Sequence, residues 1–356
     1  MVLLGVDDGS VMSLSSSSCN DTEFASLSYN GTVVLWDTRL KTAMHTRIPN
    51  YDIGNNLDAG ELLFLPEFDM AITLCGKLIQ FFDIRRGTSS IESCRHSCEV
   101  VRFLAGDHPW SRMWTLIVDE KGHIFPLNQM NMCKSSMLQE FVFGKLVDVP
   151  ENGFGSLSNY SSGLGFVTEG SAKKDYGKRS LFSLGMDGRG CLLRGPEPTQ
   201  WRDFTLGNLE LDKGSTMFNP PLANCCGFSE NCQVAVGLAD GTYIICEVTT
   251  QGEVEELMTA PGHATNGLCH VDFLPTGSLL TVSLCGQITV WDVPNFLLGD
   301  GDAEIDGELP MVQCALDHHV CTGMKRSVIN CASMLGQEIL LTGDANGNVV
   351  SNDLKN

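Results

Sequence analysis

Basic residues are scarce in this chain: 23 Lys and Arg stand against 43 Asp and Glu, a formal net charge of −20 over 356 residues. With an isoelectric point near 4.6, a role built on phosphate contacts is excluded, because nucleic-acid affinity rests on Lys and Arg displacing counterions. Long apolar runs are also missing. No stretch approaches the roughly 18 consecutive apolar residues of a spanning helix. No basic segment followed by an apolar run stands at the start. The expected setting is therefore soluble and intracellular, cytoplasmic and/or nuclear, with no membrane or nucleic-acid partner. A sustained helical period is absent too, which points away from helical architectures.

The motifs of common chemistries are equally lacking. There is no Gly-x-Ser-x-Gly elbow for a serine nucleophile. There is no Gly-rich loop ending in Lys-Ser/Thr to cradle phosphates, and no Gly-x-Gly-x-x-Gly. No residue is thereby marked as catalytic, and the expectation is a protein that is not an enzyme and needs no cofactor.

Two clusters look like metal sites and fail on inspection. Cys94-Arg-His96-Ser-Cys98 has no second Cys pair to complete a four-coordinate shell. Asp300-Gly-Asp302-Ala-Glu304-Ile-Asp306-Gly307 places Ile305 where a calcium loop needs glycine, and Met311 where it needs a bidentate Glu. The expectation is no metal. The 15 cysteines, an odd number scattered along the chain, read as buried reduced thiols rather than a disulfide framework.

What is present is a repeat. Gly31-Thr-Val-Val-Leu-Trp-Asp37 and Gly286-Gln-Ile-Thr-Val-Trp-Asp292 share a turn glycine, an alternating apolar strand and a closing Trp-Asp. The second is preceded by Gly262-His263, which completes the signature of one four-stranded propeller blade. A blade cannot bury its own faces, so others must stack on it. Equivalent turns fall at Gly31, Lys77, Gly122, Gly188, Gly241, Gly286 and Gly347, at or above the roughly 40–45 residues of a blade. Short β-rich runs flank each turn, and an inner strand precedes each pair, among them Val11–Ser15 and, in the fourth repeat, Gly153–Leu157. No outer strand can follow the last pair, and Met1–Gly5 is left over. The expectation is all-β: one domain over residues 1–356, a seven-bladed propeller whose ring is closed by the N-terminal strand completing the last blade. Insertions are expected at about 158–179 and 295–310.

These motifs resemble the WD-repeat family along the whole length, and the second half, through Phe218–Ala223, Gly262–Gly267 and Ile288–Val293, resembles one particular member. The resemblance implies blades held by a hydrogen-bonded set of His, Ser/Thr, Asp and Trp. His96, Asp187, Asp240, His263, Trp291, Asp292 and His318 match that set. Trp survives at Trp36 and Trp291 and is replaced by Phe82, Leu127, Leu193, Cys246 and Asn352. The turn aspartate is replaced by Asn30, Gly76, Lys121, Cys285 and Asn346.

The resemblance also implies a function. Most WD-repeat proteins are interaction platforms, and some bind the damage-recognition adaptor of cullin-4 ubiquitin ligases through Trp/Phe-Asp-x-Arg at the end of a third strand. Two such boxes occur in tandem, Trp36-Asp37-Thr38-Arg39 and Phe82-Asp83-Ile84-Arg85. Their arginines are planar, permanently charged forks suited to a partner's acceptors. Trp110, Arg112 and Trp114 form a second candidate partner surface, being residue types common in binding hot spots. The implied role is a substrate receptor for such a ligase, monomeric on its own, with an unknown client. The alternatives are a scaffold in another complex and, from one WD-repeat family that cleaves a methyl ester, a hydrolase.

Overall fold

The computed structural model describes residues 2–6, 9–17, 20–40, 44–48, 59–66, 69–85, 92–95, 100–104, 114–119, 124–128, 161–168, 179–186, 188–194, 200–206, 222–229, 232–262, 267–291, 316–317 and 327–354. These residues form 27 strands in seven antiparallel sheets. Strand β1 (Val2–Val6) belongs to the last sheet. The first sheet holds β2 (Val11–Ser17), β3 (Asn20–Ser28), β4 (Val33–Asp37) and β5 (Met44–Ile48). The second holds β6 (Ala59–Leu65), β7 (Met70–Cys75), β8 (Leu78–Asp83) and β9 (Glu92–Arg95). The third has β10 (Val100–Leu104), β11 (Trp114–Asp119) and β12 (Ile124–Asn128). The fourth has β13 (Ser161–Thr168), β14 (Arg179–Gly185), β15 (Arg189–Arg194) and β16 (Gln200–Thr205). Then come β17 (Ala223–Phe228), β18 (Gln233–Leu238), β19 (Thr242–Val248) and β20 (Val254–Pro261), followed by β21 (Leu268–Phe273), β22 (Leu279–Ser283), β23 (Gln287–Trp291) and β24 (Leu316–Asp317). The last sheet joins β25 (Ile329–Leu335), β26 (Ile339–Asp344) and β27 (Asn348–Asp353) to β1, with Val2 opposite Ser351 and Val6 opposite Asn348.

The middle strands are apolar on both faces because each sheet is covered on both sides. In β4, Val33 and Leu35 pack with Leu62, Phe64 and Phe82 of the second sheet, whereas Val34 and Trp36 pack with Leu335, Leu341 and Val349 of the last. A period of two with both faces buried turns the usual alternation into a continuous apolar run. Similar clusters join the fourth sheet to the fifth, the fifth to the sixth and the sixth to the last.

One backbone feature recurs in all seven sheets. The register of the first strand against the second shifts between its first and third residues: Val11/Ser13, Ala59/Glu61, Val100/Arg102, Ser161/Gly163, Ala223/Cys225, Leu268/His270 and Ile329/Cys331. An extra residue there bends the strand and sharpens its twist. These bent first strands lie side by side, β2 by β6, then β10, β13, β17, β21 and β25, and β25 lies by β2. The result is an all-β, propeller-like fold.

Turns between second and third strands carry left-handed glycines at Gly31, Gly76, Gly188, Gly241, Gly286 and Gly347. In the second sheet that residue is Gly76 rather than the expected Lys77, because Cys75 pairs directly with Leu78 across a two-residue turn. A larger correction concerns the fourth repeat. The expected inner strand at 153–157 lies outside the described residues, and β13, inside the supposed insertion 158–179, pairs with β14 instead. Gly163 and Gly165 both stand in β13. A Cβ on either would collide with Cys226 or with the Phe228 ring, so these glycines mark a close approach of β13 to β17. The second expected insertion, 295–310, lies outside the described residues.

Side chains also tie neighbouring sheets together. Asn224 Nδ2 donates to the Leu268 carbonyl at 3.2 Å, and Asn330 Nδ2 donates to the Val11 carbonyl at 3.0 Å and to Ser10 Oγ at 2.7 Å. Each spans from one first strand to the start of the next. Asn330→Ala is expected to cost about 2 kcal/mol in urea unfolding, and Asn224→Ala, with one bond, about 1 kcal/mol. Equal small losses at both positions would show that these amides are solvated rather than bridging.

Candidate functional site

The two Asp-x-Arg boxes fold alike. Each aspartate ends a third strand, opposite the start of the second: Asp37 faces Glu23 and Asp83 faces Met70. Each carboxylate accepts the backbone N–H of the arginine two residues on, at 3.0 Å in both, a local turn that aspartate closes well. The arginine then folds back on the same carboxylate. Arg39 is bidentate to Asp37, with Nε to Oδ1 at 2.8 Å and Nη2 to Oδ2 at 2.7 Å, and Nη2 also reaches Glu23 Oε1 at 3.1 Å. Arg85 places Nε 3.5 Å from Asp83 Oδ1 and Nη1 3.3 Å from Asp69 Oδ2. The hydrogen-bonded Asp37 carboxylate raises the pKa of Arg39 further, followed by its charge, with Glu23 adding less. Both aspartates are buried while both arginines project.

The aromatic members point inward. Trp36 stacks on Phe24 with ring centroids 5.8 Å apart and donates to Ser26 Oγ at 2.8 Å, and Phe82 is fully buried. As candidates for adaptor contact Trp36 and Phe82 are therefore core residues, and the corner that a partner could touch is Asp37 with Arg39, and Asp83 with Arg85. The signal for Glu23 and Asp69 was not legible, since each stands at the second strand of its sheet, far from its arginine in the chain. A third corner, Asp353-Leu354, repeats the geometry in the last sheet: Leu354 N bonds the Glu338 carbonyl as Thr38 N bonds Thr22 and Ile84 N bonds Asp69. Lys355, which follows, lies outside the described residues.

The remaining expected residues divide. Trp291 donates to Thr281 Oγ1 at 2.8 Å and packs against Tyr243 with centroids 5.7 Å apart. Asp240 accepts from Thr242 N at 2.9 Å and from its hydroxyl at 2.7 Å. Trp114 begins β11 opposite Asn128, the strand end corresponding to that of Asp37 and Asp83. The chain leaves β13 at Thr168 and re-enters β14 at Arg179 at this end too. His96, Trp110, Arg112, Asp187, His263, Asp292 and His318 lie outside the described residues. Sequence reasoning missed two replacements for the lost turn aspartate. Ser283 Oγ accepts from Gln287 N at 3.1 Å, and Asp344 accepts from Asn346 N, Asn348 N and Asn348 Nδ2 at 2.7–2.9 Å. Asn352, standing for Trp, still reaches Thr342 Oγ1 at 3.4 Å.

A cavity of about 420 Å³ opens between the first strands, lined by Ser13, Glu61, Asn224, His270, Asn330 and several thiols. Burial pushes Cys269, which lines the cavity, well above its usual value, and elsewhere raises Cys75 to about 11 and Cys191, Cys232 and Cys246 to about 12. Thiols so protonated are poor nucleophiles and ligands. Cys75, Cys191, Cys225, Cys226, Cys232, Cys246, Cys269, Cys285 and Cys331 are free of disulfides. Among the described residues no cluster could hold a metal, and no helix is long and apolar enough to cross a membrane. Asp272, pushed up to about 6 by burial, does not line the cavity.

The model of the family described as "WD domain, G-beta repeat" matches residues 254–292. No curated protein matches the sequence, so the likeness of the second half to WD repeat-containing protein 53 finds no support. Among solved structures the chain is similar to the β-propeller domain of Cps50 (Swd1) from Myceliophteria thermophila. The TM-score is 0.62 at 13% identity, covering 98% of each chain. At that identity the likeness concerns fold alone. The chain carries a WD repeat, from β20 through β23, within a propeller-like fold.

Proposed function

We propose that the seven sheets are the blades of one closed ring spanning residues 1–356, and that the ring is a protein-interaction platform serving as a substrate receptor of a cullin-4 ubiquitin ligase. Closure is supported by the pairing of β1 with β27 and by the contact of β25 with β2. The observation that carries the function is the pair of similar corners on adjacent sheets, each presenting an exposed arginine held by two carboxylates. Exposed Leu40 lies beside Arg39 and adds apolar area at the first corner. Such a subunit catalyses nothing itself. It holds a client near the ligase's catalytic partner, raising effective concentration. It works in the cytoplasm and/or nucleus.

The test is calorimetry of the purified cullin-4 adaptor against wild type and the Arg39→Ala/Arg85→Ala double variant. Wild type is expected to bind, and the variant, still folded, to bind at least about tenfold more weakly, as for loss of interface arginines. The second reading is a scaffold in another complex. It is favoured by the internal Asp–Arg pairs, which also serve to close the strand ends, and it holds if wild type does not bind the adaptor.

A further inference from the structure

Asparagine is followed by glycine at Asn30, Asn152, Asn266 and Asn346. Such pairs are thermolabile, because glycine has no Cβ to screen its backbone nitrogen from the carbon of the preceding side-chain amide. Asn152 and Asn266 lie outside the described residues. Asn30 and Asn346 hold the same place in equivalent turns, between the second and third strands of the first and last sheets, and both are exposed. The backbones of the two turns are alike. Gly31 and Gly347 are left-handed, with φ of 79° and 85°, and each donates its N–H to the carbonyl three residues back, Ser28 at 2.8 Å and Asp344 at 3.1 Å.

The side chains differ. Asn30 closes its own turn: its Oδ1 accepts from Thr32 N at 3.0 Å and from Ser28 Oγ at 2.5 Å. In the last sheet Asp344 has taken that task, accepting from Asn346 N at 2.9 Å and Asn348 N at 2.8 Å. The Asn346 amide is left with no hydrogen bond among the described residues, and its Cγ can turn toward Gly347 N. At Asn30 two hydrogen bonds must break before the same approach, which is the geometry the reaction requires. We propose that Asn346 is a site of spontaneous deamidation selected by the fold. Gly347 N loses its proton and bonds to Asn346 Cγ, the Cγ–Nδ2 bond breaks, and ammonia leaves carrying that proton. A water molecule then opens the succinimide ring at either carbonyl, giving aspartate or isoaspartate. Either product places a new negative charge near buried Asp344, and isoaspartate also lengthens the main chain by a methylene inside a turn that Asp344 holds. That turn leads into β27, the strand that pairs with β1, so the last sheet loosens.

The full chain is held at body temperature and mildly alkaline pH and digested at intervals. Mass spectrometry with fragmentation then locates the gain that replacing –NH2 by –OH produces. In the folded chain Asn346 is expected to convert at least about tenfold faster than Asn30, the effect of two hydrogen bonds that must first break. In urea, where neither turn persists, the two rates are expected to converge. Equal rates in the folded chain, or no conversion at Asn346, overturn the proposal. The Asn346→Gln variant, whose longer side chain closes the ring far more slowly, isolates the consequence. Amide hydrogen exchange in β1 and β27 is expected to quicken as wild type ages and to stay constant in the variant. An equal change in both, or none in converted wild type, overturns the effect on the last sheet.

Discussion

Gly227→Ala is expected to destabilise the protein by about 3 kcal/mol, although it adds a single methyl group. A Cβ at this position would lie 2.5 Å from the Val271 carbonyl oxygen and 2.7 Å from Asp272 Cα. Both are backbone atoms of β21, which cannot rotate aside as a side chain can. Gly227 is not among the left-handed glycines, so the cost comes from forcing β17 and β21 apart, not from backbone strain. Because each sheet contacts only its neighbours, the damage should be local. Amide hydrogen exchange should accelerate in β17 and β21 and change little in β3 and β4. Gly9→Ala is the control, since nothing lies within 4 Å of its added Cβ. Equal stability of the two variants would show that β17 and β21 are not in backbone contact.

Asp272→Asn should act in the opposite direction and only above acidic pH. Burial holds the Asp272 carboxyl at about 6, against an ordinary 3.8, partly offset by the N–H of Phe273 at 2.9 Å. Between those values the folded chain binds more protons than the unfolded chain. Stability therefore falls as pH rises through that window and stays reduced above it. Asparagine removes the charge and keeps an oxygen for the Phe273 N–H. The gain at pH ~7.5 should reach at most about 3 kcal/mol, the equivalent of the two-unit shift, and should vanish below pH ~4. Urea unfolding at the two pH values measures it. An equal gain at both would assign the effect to packing rather than to ionisation.

The architecture was legible wherever local chemistry marks it. Gly31, Gly286 and the apolar runs after them identify turn and strand without reference to any neighbour, and the leftover N-terminal segment lacked a partner until β27 was counted. The site was half legible. The Asp-x-Arg spacing shows in the sequence because the two residues form their own turn. The second carboxylate of each corner does not, because Glu23 and Asp69 reach the arginine across strands. Trp36 and Phe82 read as contact residues in the motif, yet they are buried where adjacent sheets meet.

By itself the sequence determined the all-β class, most of the strands and the net charge, since periodicity of two, turn glycines and ionisable groups are properties of residues and near neighbours. Only the tertiary structure decided which glycines are contacts rather than turns, as at Gly163 and Gly227. It also decided how much of each arginine's hydrogen-bonding capacity is spent on a second carboxylate. Gly163 meets Cys226 and Gly227 meets Val271 only when sheet packs on sheet, and Arg39 meets Glu23 only when strands pair, so no local pattern encodes the distance between them.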